Sequence, residues 1–205
     1  MITRTRCTLA IVLLAAGAMA LPACGPTKRE VERVDPATTK DLDYRFNDTD
    51  ARLVWQGMVN DATFRGWIDR WKAEHGGNRP IMIVGPITNR SQDYIDTGLF
   101  TMNFEREMLN TGHVRVVSMR DQRGALRDER LQGQEWNSPE TRKLMKNELG
   151  ADLMLMGNII DVVQRSLDNR QLTKYYQVGL ELTNIETNEK VWMGNVEIKK
   201  VATLR

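Results

Sequence analysis

The chain has 205 residues and a formal net charge of +2, and its first 23 residues carry Arg4 and Arg6 with no acid beside them. Without that leader the remainder is neutral, which argues against nucleic acid as a partner, because phosphate neutralisation dominates such affinities. Cys7 and Cys24 are the only cysteines, so one hydrophobic core must hold what the length marks as a single domain, without a disulfide framework.

Residues 1–23 have the layout of an export signal. Two arginines precede an apolar run from Cys7 to Leu21 that is too short and too rich in Ala and Gly for a permanent span. The run ends in Leu21-Pro22-Ala23-Cys24-Gly25, which reads as a lipobox despite the unusual Pro22, and Cys24 is the expected lipidation site. Each buried methylene of an acyl chain contributes about 0.8 kcal/mol, so several chains anchor stably. In enterobacterial sorting an Asp after the cysteine retains a lipoprotein in the inner membrane, so Gly25 fits an outer-membrane protein facing the periplasm.

Residues 24–49 are polar, mixed in charge and broken by Pro26 and Pro36, the composition of a flexible tether. Roughly 25 residues reach at most about 80–90 Å when fully extended, and about 25–30 Å as a coil.

The globular domain is expected over residues 50–205. Asp50 reads as the N-cap of a helix that continues past Gly66 to Gly76-Gly77. Its stripe of Val54, Met58, Ala62, Phe64, Trp67, Ile68 and Trp71 fits core packing better than a docking face. Ile81–Val84 is a fully apolar strand delivered by Pro80 and stopped by Gly85-Pro86. A polar loop follows. Within it Asn89, Arg90, Ser91 and Tyr94 are candidate partner-binding residues, since loops on rigid scaffolds carry binding and Arg and Tyr favour hot spots. The competing use is local: Asn89 and Ser91 bond the turn and cap the next helix, with Arg90 solvated. That helix starts at Thr97 or Gly98 and ends at Thr111-Gly112, with Phe100, Phe104 and Met108 on one face.

Val114–Val117 reads as a short strand, and Ser118 as the cap of a charged helix in which Asp121, Asp128 and Glu129 offset the arginines. Residues 132–137 read as a loop. Ser138-Pro139-Glu140 then signals a helix start, with Leu144, Met145 and Leu149 facing inward. Ala151–Ile160 is a continuous apolar run, expected to be a strand buried on both faces. Tyr176, Val178, Leu180 and Leu182 alternate with polar neighbours. After a turn at Ile185–Glu189, Trp192, Val196 and Ile198 do the same. The order implies an α/β fold: a single-domain sandwich with a mixed sheet flanked by helices and a C-terminal antiparallel meander.

No catalytic constellation stands out. His75 and His113 are far apart and have no Cys partners, so no structural zinc site is expected. No P-loop, nucleophile elbow or dinucleotide fingerprint is present. Asp93 and Asp96 form a possible carboxylate pair, although loop acids more often cap helices. Glu140 and Glu148 fall on a solvated helix face. No cofactor and no enzymatic activity are expected.

Several stretches together resemble the penicillin-binding protein activator family LpoB. They are Cys24, Val34-Asp35-Pro36, Asn47-Asp48-Thr49-Asp50-Ala51-Arg52-Leu53-Val54, Ile83-Val84-Gly85 leading to Asn89-Arg90-Ser91, Leu149-Gly150-Ala151-Asp152 and Asn184–Trp192. The resemblance implies a non-catalytic outer-membrane lipoprotein whose periplasmic domain binds and stimulates a bifunctional peptidoglycan synthase. It also implies a fold related to the periplasmic part of the secretion protein CsgG. The short tether, poor in Pro, departs from the long Pro-rich tether of enterobacterial members. The rival function is a CsgG-like component of an outer-membrane secretion complex. That function needs membrane-crossing strands of about 9–11 residues beyond those the core already claims.

Overall fold

The computed structural model describes residues 30–143 and 148–204. Residues 30–36 are exposed and carry no helix or strand, and Ala37–Arg205 form one compact unit. The lipidation site expected at Cys24 lies outside the described residues.

The unit begins with helix α1, Asp48–Phe64. Its N-cap is Asn47 rather than Asp50. Asn47 Oδ1 accepts from the Asp50 N–H at 3.0 Å, and Asp50 Oδ2 accepts from the Asn47 N–H at 3.0 Å. Asp50 is thus the third residue of a capping box, which satisfies two orphan donors of the first turn. The single long helix expected through Gly66 is two helices. Gly66 takes φ +70°, a left-handed conformation that ends α1, and α2 runs Trp67–Glu74. The kink turns Trp67 and Trp71 inward, to 0% and 6% exposure, so these two serve the core, whereas Phe64 at the end of α1 is exposed and leaves the expected stripe. Trp67 Nε1 donates to the Ala62 carbonyl at 2.6 Å, closing the corner.

Strand β1 spans Ile81–Asn89 and does not stop at Gly85-Pro86. The register slips between Val84 and Ile87, so Pro86 sits where the ladder is irregular and its missing N–H costs little. The strand thus continues past the slip and delivers Asn89 at its end. Helix α3, Thr97–Asn110, buries Phe100, Phe104 and Met108 as its spacing requires. Strand β2 is only Arg115–Val116.

Helix α4, Arg120–Trp136, absorbs the residues expected to loop from Gln132 onward. The helix expected from Ser138 is absent among the described residues. Ser138–Arg142 form a turn in which the Arg142 N–H meets the Ser138 carbonyl at 3.0 Å. Leu144 and Met145 lie outside the described residues, and Leu149 is exposed. Glu148 bonds the Arg127 guanidinium through both oxygens, at 2.8 and 2.7 Å.

Strands β3 (Leu153–Arg165), β4 (Gln171–Asn184) and β5 (Lys190–Thr203) form the meander. The sheet order is β2-β1-β3-β4-β5, with β1 parallel to both neighbours and the rest antiparallel. This is the expected mixed α/β sheet, and Asn188 takes the left-handed φ of 61° in the β4–β5 turn. Strand β3, however, is not buried on both faces. Leu153, Leu155 and Ile159 are fully buried, whereas Ile160 and Val162 are exposed. The core lies between one sheet face and α1 to α3, so alternate residues of β3 look away from it.

Candidate functional site

The β1–α3 loop is built from its own side chains. Asn89 Oδ1 accepts from the Ser91 N–H at 2.9 Å and from the Ser91 hydroxyl at 2.7 Å, while Asn89 Nδ2 donates to the Asp93 carbonyl at 2.8 Å. The loop is also tied to β3: the Arg90 N–H donates to the Ile159 carbonyl at 2.8 Å and the Gln92 N–H to Asp161 Oδ1 at 3.2 Å. Of the four residues singled out in this loop, Asn89 and Ser91 hold its shape. Arg90 and Tyr94 project from it, and Tyr94 is 96% exposed. The helix cap is Asp96, which accepts from the Gly98 N–H at 2.9 Å.

Asp93 does not pair with Asp96. Its carboxylate turns under the loop to meet the Lys174 ammonium, the Tyr176 hydroxyl and the Phe46 N–H, the last at 3.0 Å. Lys174 Nζ also lies 3.3 Å from Asp161 Oδ2, an ion pair without hydrogen-bond alignment. The Lys174, Asp93 and Asp161 side chains are 3%, 9% and 4% exposed. The ammonium further faces the rings of Tyr44 and Tyr176, with centroids 5.8 and 5.2 Å away. Burial pushes the Asp93 carboxyl up, but hydrogen bonds from Lys174, Tyr176 and Phe46 outweigh it and hold the group below the usual carboxylate range. Burial, then the Asp93 carboxylate, push the Tyr176 phenol well above the usual tyrosine range. A buried phenol that cannot ionise beside a carboxylate already holding an ammonium is a structural knot and offers no free base.

This knot does not stand out from the sequence, although a signal is there. The inward alternation of Tyr176, Val178, Leu180 and Leu182 extends back to Lys174 and Leu172, which places a lysine on the core face. A buried lysine demands a carboxylate.

A second knot lies beside the first. Lys200 Nζ donates to Asp41 Oδ1 at 2.8 Å and to the Arg45 carbonyl at 2.9 Å, and pairs with Asp50 Oδ2 at 2.6 Å. Burial lowers the Lys200 pKa, but Asp41 and Asp50 together raise it above the usual lysine range. Phe46 packs near Phe100 and Tyr176, with centroids 6.0 and 5.4 Å apart. Residues 41–47, expected to belong to a tether ending at Thr49, are therefore fastened to the domain.

Elsewhere the chemistry is sparse. His75 stacks on Trp71 at 3.9 Å, and its Nδ1 lies 2.8 Å from the Trp71 carbonyl oxygen. Among the described residues no group of three or more His, Cys, Asp or Glu could hold a metal ion, and no helix is long and apolar enough to cross a membrane. A cavity of about 620 Å³ lies beside β1 between the starts of α3 and α4, lined in part by Val84, Gly85 and Met154. The pKa of Glu105 on its wall is raised by burial alone.

No curated protein matches the chain by sequence. Among solved structures it is similar to the LpoB C-terminal domain from Escherichia coli, at 15% identity and a TM-score of 0.40 over 73% of this chain and 98% of that one. The LpoB C-terminal domain from Salmonella enterica is comparable, at 15% identity and a TM-score of 0.39 over 70% and 97%. The solution structure of E. coli LpoB covers 98% of this chain and 96% of its own at 14% identity and a TM-score of 0.37. The family model of the peptidoglycan-synthase activator LpoB matches residues 50–198, well over half of the sequence, and the chain belongs to that family.

Proposed function

We propose that this protein is a non-catalytic lipoprotein, anchored through Cys24 in the outer membrane and facing the periplasm. There it binds a bifunctional penicillin-binding protein and stimulates its peptidoglycan synthesis. The observation that carries this reading is the family match over residues 50–198. The geometry agrees with it: the buried ionic clusters among the described residues are structural, and the β1–α3 loop presents Arg90 and Tyr94 from a fixed base. Asn89 and Ser91 shape that surface, and Arg90 and Tyr94 contact the synthase.

The test reconstitutes the mature protein in detergent with each bifunctional synthase of the same cell and follows glycan polymerisation and cross-linking from lipid-linked substrate. Stimulation of at least one synthase is expected. No stimulation and no binding across the full set would refute the reading. So would muropeptide release by this protein alone. The secretion-complex alternative gains no support from the fold, because β3, β4 and β5 each bury one face in the domain core or pair with strands that do.

A further inference from the structure

We infer that the docking surface is composite: the chain entering the domain and the β1–α3 loop form the two walls of one cleft, which receives an acidic loop of the synthase. The inference rests on the reading that this protein docks on a peptidoglycan synthase, and adds where the surface lies and what chemistry it recognises.

A cleft of about 390 Å³ opens between Tyr44 and Arg45 on one side and Gln92 and Tyr94 on the other, with Val163 and Leu172 in its lining. Both walls hang on one carboxylate. Asp93 belongs to the loop, and its Oδ2 takes the N–H of Phe46, next to Arg45, at 3.0 Å. Tyr176 bonds the same oxygen and also reaches the Tyr44 carbonyl at 3.5 Å. The cleft is therefore preorganised, and a partner need not order it on binding.

Its charge points to the occupant. Lys174 lines the cleft but is consumed by Asp93 and Asp161. The exposed arginines in its lining are Arg45 and Arg165, and Arg90 is exposed elsewhere on the same loop. Among the described residues Arg90 and Arg165 make no ion pair, and Arg45 makes only a loose one with Asp43 at 3.9 Å. An arginine rim and an exposed tyrosine around a mostly polar recess are hot-spot chemistry for a carboxylate carried on a protein loop. Two walls around a recess suit an inserted side chain better than the flat plane of a lipid surface.

The test uses the mature protein in detergent and the synthase it stimulates, with affinity read by interferometry at several salt concentrations. Arg45→Glu with Arg165→Glu should weaken binding at least about a hundredfold, since opposed charges at an interface are replaced by like ones, and should leave the melting temperature within about a degree or two, as for surface changes. Tyr94→Ala should weaken binding about tenfold or more. If the charge-reversed pair proves unstable, Arg165→Gln alone serves, with an expected loss of about tenfold. Lysine substitution of the matching synthase acid should restore binding to the charge-reversed protein. Wild-type binding that these variants leave intact would overturn the cleft while sparing the function. Failure of wild type to bind any synthase would sink both. Equal capture by phosphatidylglycerol vesicles, or a salt-sensitive dimer of this chain lost in the same variants, would assign the cleft to another occupant and overturn the proposal.

Discussion

Replacing Lys174 with methionine tests whether the buried knot governs the fold around the loop. The ammonium is 3% exposed and faces two carboxylates that are themselves 9% and 4% exposed. Methionine keeps most of the volume and removes the charge, leaving Asp93 and Asp161 buried without a cation. Breaking a buried pair from one side costs about 3–5 kcal/mol. At about 2–4 °C per kcal/mol for a domain of this size, the melting temperature should fall by roughly 6–20 °C. Urea unfolding followed by tryptophan fluorescence at pH 7 measures the loss. The pH dependence adds a sign test. In the wild type the Asp93 pKa is depressed, so its contribution is fully present above the unfolded value of 3.8 and is lost as pH falls through the lower folded value. In the variant Asp93 loses the ammonium that offsets its burial, so its carboxyl shifts upward and less stability should be lost in acid than in the wild type. Combining Lys174→Met with Asp93→Asn and Asp161→Asn should recover much of the loss, because replacing a whole buried pair is often close to neutral. A loss below about 1 kcal/mol in the single variant, the value typical of an exposed pair, would refute the assignment of Lys174 as a buried, paired charge.

Asn89→Ala removes three hydrogen bonds that shape the loop and should cost about 1–3 kcal/mol. Arg90→Ala should cost under about 0.5 kcal/mol, and equal losses in urea would contradict the division of roles. Cys24→Ala should abolish labelling of the protein by a palmitate analogue in cells, and unchanged labelling would remove the lipid anchor. Lys200→Met should release residues 41–45 to limited proteolysis. In the wild type the raised Lys200 pKa keeps its contribution intact below the unfolded value of 10.5 and lets it fade as pH climbs through the folded one. A cleavage pattern identical to wild type would mean that the segment is held by other contacts.

Patterns tied to a single element are legible in the sequence. The period of two places the inward faces of β4 and β5, the spacing of Phe100, Phe104 and Met108 orients α3, and Asn188 marks the tight turn. What the sequence hides depends on partners distant along the chain. Gly66 can continue or break a helix, and the burial gained by turning Trp67 and Trp71 into the core favours the break. An apolar run does not say whether one face or two are covered, so β3 reads as more buried than it is. The loop residues Asn89 to Tyr94 are visible as a polar presentation after a strand. Asp93 does not outweigh its neighbours there, because its meaning comes from Lys174, 81 residues away.

The entering segment gives a sharper way to ask where the tether ends. Its composition resembles a linker, yet Lys200 grips Asp41 and the Arg45 carbonyl, and Asp93 grips the Phe46 N–H. The compact unit starts at Ala37, well before the expected tether end at Thr49. If residues 41–46 were linker, a flexible Gly-Ser insert would be tolerated anywhere before Asn47. If they are a wall of the docking cleft, position decides the outcome. An insert of about ten residues between Pro36 and Ala37 should leave both the melting temperature and the affinity for the synthase unchanged. The same insert between Arg45 and Phe46 should detach Tyr44 and Arg45 from the Asp93 knot. The affinity should then fall by about as much as in the arginine variants, with some loss of stability from the freed Lys200 contacts. Unchanged affinity from both inserts would return the segment to the tether and leave the β1–α3 loop to bind alone.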